Sequence, residues 1–178
     1  MGSSDITKFT FDVLNASFCG GRDRSCIRSI NVFIGSAPRS GYEDSYIKFF
    51  KKNNINAIVR CCMDHEIEYD EKIFKDGGVD VVKIELRDGS VPDGEFGKAL
   101  DDVYREYISD NSSNVFFHCV SGLGRSPTCA VYALCNNTNI NHYDCVRKIR
   151  SVRRESINGR QMKWIDTKFS SGSSCSIQ

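Results

Sequence analysis

The chain has 178 residues, 40% of them hydrophobic and 26% charged, which suits one soluble globular domain with a real core. A formal net charge of +1 points to neither nucleic acid nor a membrane surface as a partner, and no apolar run approaches the ~18 residues of a spanning helix. Nine cysteines with no Cys-x-x-Cys pair argue against a zinc site, and no metal or other cofactor is expected.

Residues 1–26 have weak periodicity and are expected to form an N-terminal extension with one edge strand at Phe9–Leu14. Met1 to Ile6 contains no apolar signal-peptide core, and Ile6 stands where a myristoylation site needs Ser or Thr. A cytoplasmic, reducing setting is therefore expected. Cys129, Cys135 and Cys145 then act as small hydrophobes, and the sequons at Asn15, Asn111 and Asn136 are chance matches.

From residue 27 to 169 strand and helix patterns alternate. The β-branched run Ser29–Ile34 predicts a strand, and Gly41–Lys52 a helix with Tyr42, Tyr46, Phe49 and Phe50 on one side. Short buried strands are expected at Ile55–Val59 and Val79–Leu86. Apolar residues at 96, 100, 103 and 107 predict a helix over Asp93–Ser109. Asn114–His118 reads as a strand, Ser126–Leu134 as an apolar helix, and Asn141–Arg153 and Gly159–Phe169 as two more helices. The Ser/Gly-rich stretch from Ser170 is a flexible tail. This alternation predicts an α/β fold with a central, mostly parallel sheet flanked by helices. Ligands on such sheets bind beyond the carboxyl ends of the strands, so the loop after Asn114–His118 is where chemistry is expected.

That loop carries the chemistry-bearing residues. A buried strand delivers His118 and Cys119 to Val120, Ser121, Gly122, Leu123 and Gly124, followed by Arg125, Ser126 and Pro127. Gly122 and Gly124 allow backbone conformations in which successive N–H groups converge on one point. A helix starting at once adds its positive dipole end, with Pro127 near the first position, where a missing N–H is harmless. The result is a cradle for a tetrahedral dianion. The same field favours the thiolate of Cys119, the nucleophilic form. Arg125 can grip two phosphate oxygens, Ser126 can donate to the sulfur, and His118 is placed to support the loop. No Gly-Lys-Ser/Thr follows the glycines, which excludes a Walker-type nucleotide loop.

His118 to Arg125 matches the His-Cys-(five residues)-Arg motif of protein tyrosine and dual-specificity phosphatases. The stretch Cys119 to Pro127 resembles the phosphatases of regenerating liver, the PRL family, from about Ile30 to the C-terminus. The resemblance implies the protein tyrosine phosphatase-like fold and hydrolysis of phosphoprotein monoesters through a phosphocysteine. That family usually carries Ala where this chain has Ser126, which implies faster breakdown of the intermediate here. Leu86 to Pro92 resembles the family's acid loop, with Asp88 aligned on the proposed general acid; Arg87 replaces the first family Asp, and Asp93 is the competing acid. Asp88 and Gly89 also suit a plain turn. Val59 to Cys62 resembles a family segment whose Cys ends a strand beside the catalytic loop, so Cys62 is the implied redox partner of Cys119, with Cys61 a buried neighbour. Asn158 is a candidate N-cap, and Gln161 a candidate for orienting the hydrolytic water.

The chain ends in Cys175, Ser176, Ile177 and Gln178, a C-a-a-X pattern that predicts farnesylation at Cys175 and peripheral membrane attachment. One lipid anchors weakly, and no basic residue lies between 170 and 174. Two other functions compete. Phosphoinositide phosphatases usually carry Lys in the loop, and Val120 to Gly124 has none. The PRL resemblance also implies a binding module for CNNM-type magnesium transporters with weak catalysis. The sequence leaves the oligomeric state open.

Overall fold

Period-two alternation sorts the strand side chains between two faces, and both faces are buried. Val115 and Phe117 pack in one core with Val32, Ile34, Ala57 and Val59; Phe116 packs in the other with Phe33 and Ile58. In this computed structural model, which describes residues 5–15, 26–109 and 113–170, five strands form one sheet in the order β1-β2-β5-β3-β4. They are β1 (Thr7–Asn15), β2 (Cys26–Ser36), β3 (Ile55–Arg60), β4 (Asp80–Lys83) and β5 (Asn114–Cys119). β2, β5, β3 and β4 run parallel, and β1 pairs antiparallel with β2 at the edge. The α/β class and the mostly parallel sheet expected from the sequence are what the chain adopts.

Helices α1 (Glu43–Lys52) and α2 (Glu71–Asp76) cover one face, where Tyr46, Phe50 and Phe74 meet Phe116. The other face carries α3 (Glu95–Val103), α4 (Arg125–Asn137), α5 (His142–Val152) and α6 (Gly159–Ser170). Helix α4 is buried along its length from Arg125 to Leu134, which is why its sequence is apolar with little periodicity.

Three local features depart from the periodicity. Residues 104–108 widen into a π turn, with Ser109 N–H donating to Tyr104 C=O at 2.9 Å, where one uninterrupted helix is expected. The strand expected over Val79–Leu86 is confined to Asp80–Lys83: Ile84 N–H still bonds Arg60 C=O, but Leu86 N–H folds back onto Ile84 C=O at 2.8 Å and turns the chain off the sheet. Helix α2 and a single helical turn at Asp64–Glu66 fill a stretch with no readable pattern. Asp70 caps α2, its carboxylate accepting from Lys72 N–H at 2.9 Å. The sequons at Asn15 and Asn111 and the prenylation candidate Cys175 concern side chains outside the described part.

Candidate active site

The parallel strands β3, β4 and β5 end on the same edge, so the loops after them converge there. β5 delivers His118 and Cys119, and α4 starts at Arg125, with Gly124 as its N-cap residue. Between them Gly122 adopts φ +72°, and a Cβ there would lie 2.4 Å from the carbonyl carbon of Gly35. Only glycine fits.

Cys119 is buried, and its Sγ accepts from Gly122 N–H at 3.3 Å and from Ser126 Oγ at 3.4 Å. Burial pushes its pKa up, but the Ser126 hydroxyl and the N–H groups of Ser126, Gly122 and Gly124 more than offset it, so the thiol sits below its ordinary value.

Arg125 is fixed by a residue that the motif did not indicate. Its Nη1 donates to Glu66 Oε2 at 2.6 Å and to Leu86 C=O at 2.9 Å, and its Nη2 to Glu66 Oε1 at 2.9 Å. This fork-to-fork pairing holds Glu66 below the usual carboxylate range and presets the guanidinium plane. Asp88 Oδ1 lies 3.8 Å from Arg125 Nη2, on a side chain 92% exposed, in a turn where Gly89 takes φ +68° and Ser90 N–H bonds Arg87 C=O. The turn and the candidate acid thus coincide. The competing Asp93 accepts from Gly94 N–H and lines an adjacent open cleft of about 580 Å³ with Arg87, Leu86, Met63 and Phe96, which does not include Cys119.

His118 is buried beneath the loop, its Nε2 2.8 Å from the Tyr69 hydroxyl. Burial lowers its pKa to about 3, so the ring is neutral. Strand β3 ends at Arg60 beside His118, and Cys61 N–H bonds His118 C=O at 2.8 Å, which brings the buried Cys62 next to the end of β5. Burial pushes the Cys62 thiol up to about 11. Asn158 and Gln161 exchange hydrogen bonds reciprocally at 3.0 Å, a capping box at the start of α6. Gln161 Nε2 also reaches Ser90 C=O at 3.5 Å and lies against Gly124, so it bridges the turn at Asp88–Ser90 and the loop after β5. Of Val120, Ser121 and Leu123, Val120 is the most exposed large hydrophobic of the loop. Among the described residues no group of His, Cys, Asp or Glu is placed to hold a metal ion.

The fold and this edge define a protein tyrosine phosphatase-like protein. A family model described as "Tc-R-P: Polymorphic toxin system, DSP-PTPase phosphatase" matches residues 35–138. The PRL-1 phosphatase of Drosophila melanogaster is 32% identical over 161 residues, covering 85% of this chain and 89% of its own. The protein tyrosine phosphatase PRL-1 of Leishmania major is 32% identical, covering 78% and 81%. A solved structure titled a putative protein tyrosine phosphatase from Leishmania major superposes with a TM-score of 0.64 at 28% identity, covering 76% of this chain and 85% of that one. Tk-PTP in its active form shares the fold at a TM-score of 0.67, with 20% identity, covering 79% and 91%. The chain belongs to the cysteine-based dual-specificity and protein tyrosine phosphatases, with PRL (type IVA) phosphatases among its relatives.

Proposed function

We propose that the chain hydrolyses aryl phosphate monoesters of phosphoproteins in two steps, with residues 27–169 as the phosphatase unit. The observation that carries this reading is the buried Cys119 sulfur, with Gly122 N–H and Ser126 Oγ aimed at it and Arg125 closing the same loop. Cys119 thiolate attacks phosphorus and displaces the phenolate, which takes a proton from Asp88. Val120 to Arg125 bind the phosphoryl oxygens. Water then cleaves the phosphocysteine, with Asp88 as base, Ser126 donating to the leaving sulfur and Gln161 beside the water's approach. The absence of Lys from Val120 to Gly124 favours phosphoprotein over phosphoinositide. Cys62, a buried thiol just past the end of β3, is assigned a protective role: a peroxide-formed Cys119 sulfenic acid condenses with it to a disulfide and releases water. Farnesylation at Cys175 would add a weak membrane attachment, and a transporter-binding output remains the alternative that inactivity would favour.

Two variants test the mechanism. Cys119→Ser abolishes hydrolysis of p-nitrophenyl phosphate; undiminished turnover sinks the proposal. Asp88→Ala slows phenyl phosphate at least about tenfold more than p-nitrophenyl phosphate, because only the poorer leaving group needs a full proton. Equal slowing of the two would assign the acid elsewhere, with Asp93→Ala as the next variant.

A further inference from the structure

A phosphate-binding loop works only if its N–H groups face inward, which requires its carbonyls to face outward and be satisfied there. Every carbonyl from Val120 to Gly124 has an identified donor. Val120 C=O accepts from Ala37 N–H at 3.3 Å, Leu123 C=O from Ile157 N–H at 2.7 Å, and Gly124 C=O from Thr128 Oγ1 at 2.8 Å. The two at the centre of the loop depend on one side chain. Arg153 Nη2 donates to Ser121 C=O at 3.2 Å, and its Nε to Gly122 C=O at 3.0 Å.

The peptide joining Ser121 to Gly122 is planar and trans, so its C=O and N–H point to opposite sides. That N–H is the one donating to Cys119 Sγ at 3.3 Å. Arg153 therefore holds one end of a dipole whose other end touches the nucleophile. The fit is close, since a Cβ on Gly122 would lie 2.7 Å from Arg153 Nη2. Arg153 is itself gripped from the far end of the chain: its Nη1 donates to Asp5 C=O at 3.0 Å, to Asp5 Oδ1 at 3.3 Å and to Thr7 Oγ1 at 3.3 Å. Asp5 Oδ2 in turn accepts from Ser36 N–H at 3.2 Å, next to the Ala37 that holds Val120. The Arg153 side chain is only 8% exposed.

We propose that Arg153 is a positioning residue for the phosphate loop. Its guanidinium holds the Ser121 and Gly122 carbonyls outward so that the following N–H groups face phosphate and sulfur, and Asp5 and Thr7 at the start of β1 lock it in that pose. The inference deepens the phosphatase reading and rests on Cys119 to Arg125 being its anion site. A lysine at 153 can reach one carbonyl but cannot span two with fixed geometry. Loss of Asp5 leaves the guanidinium in place but less constrained.

The test uses the full chain with Arg153→Met, Arg153→Lys and Asp5→Ala. Two quantities are read: the pH midpoint of Cys119 alkylation by iodoacetamide, followed on its peptide by mass spectrometry, and tungstate affinity by calorimetry. Arg153→Met raises the midpoint by about one pH unit and weakens tungstate about tenfold. Arg153→Lys recovers part of both, and Asp5→Ala shifts both in the same direction by less. Wild-type values of both quantities in a folded Arg153→Met protein overturn the proposal. If that variant does not fold, wild-type values in both Arg153→Lys and Asp5→Ala overturn it. A parent protein that fails to hydrolyse p-nitrophenyl phosphate, while its variants still show these shifts, removes the catalytic reading and leaves the positioning role standing.

Discussion

His118 lies directly before Cys119, between the rings of Tyr69 and Phe116, with its Nε2 bound to the Tyr69 hydroxyl. Burial holds its pKa at about 3, well below the value of an unfolded histidine. The unfolded chain therefore binds a proton at pH values where the folded chain does not. Stability from this group is full above the unfolded pKa and falls as pH drops from about 6.5 toward 3, with a slope approaching about 1.4 kcal/mol per pH unit. Urea denaturation between pH 6.5 and 5 should show this slope in the native sequence, and His118→Asn should lack that contribution. Identical slopes would mean that the native ring takes up the proton. The residues from His118 to Ser126 were legible because they are contiguous: one strand, two glycines and a helix start bring Cys119, Gly122 and Ser126 together within one loop. Glu66 was not legible. It lies 59 residues from Arg125, among charged residues with no period, and only the folded chain shows that it grips the guanidinium.

At the scale of elements, the edge of the sheet is organised by a second arginine. Arg60 ends β3 with a side chain 0% exposed, and its guanidinium meets Asp64 at 2.6 Å, Glu71 at 3.2 Å and Glu85 at 3.0 Å. These carboxylates come from the turn after β3, the start of α2 and the stretch after β4. Lys83 adds bonds to Glu71 and Asp64. Glu66 and Tyr69 ride on the segment so tied, and through them Arg125 and His118 are set. Arg60→Met removes the buried guanidinium that Asp64, Glu71 and Glu85 share, with Lys83 still paired to Glu71. The expected loss is about 3 kcal/mol of stability, or roughly 10 °C in Tm. A further fall of about 10²-fold in kcat/KM is expected well below the new Tm, because Arg125 is no longer preset. Lost stability with unchanged kcat/KM would confine Arg60 to a structural role. The sequence did not disclose this hub: Arg60 lies just past the strand read at Ile55–Val59, Asp64 and Glu71 fall in a stretch without a hydrophobic pattern, and Glu85 sits in a run read as a strand. The shortened β4 has the same origin: Ile84 and Leu86 are apolar and buried, and periodicity alone does not distinguish a strand from a buried loop.

At the scale of the molecule, the alternation of strands and helices was readable because each parallel strand is a short apolar run followed by a helix with one apolar face. Helix α1 shows this with Tyr46 and Phe50 on its buried side. Strand β1 was less defined: Phe9, Phe11 and Val13 alternate inward, but nothing in its sequence indicates that the residues at its start reach Arg153, which holds the loop after β5. That reach has a consequence for folding. The contact between Asp5 and Arg153 closes a span of 148 residues, whereas Trp164 stacks on Tyr132 across a much shorter one. Long-range closure follows local packing in time because its entropy is recovered last. On refolding from urea, fluorescence of the single tryptophan should recover before tungstate binding does. Simultaneous recovery would mean that the ends meet early. A chain still emerging from the ribosome would hold Cys119 and most of its sheet, yet the loop after β5 would settle only after the Arg153 end had returned to the residues made first.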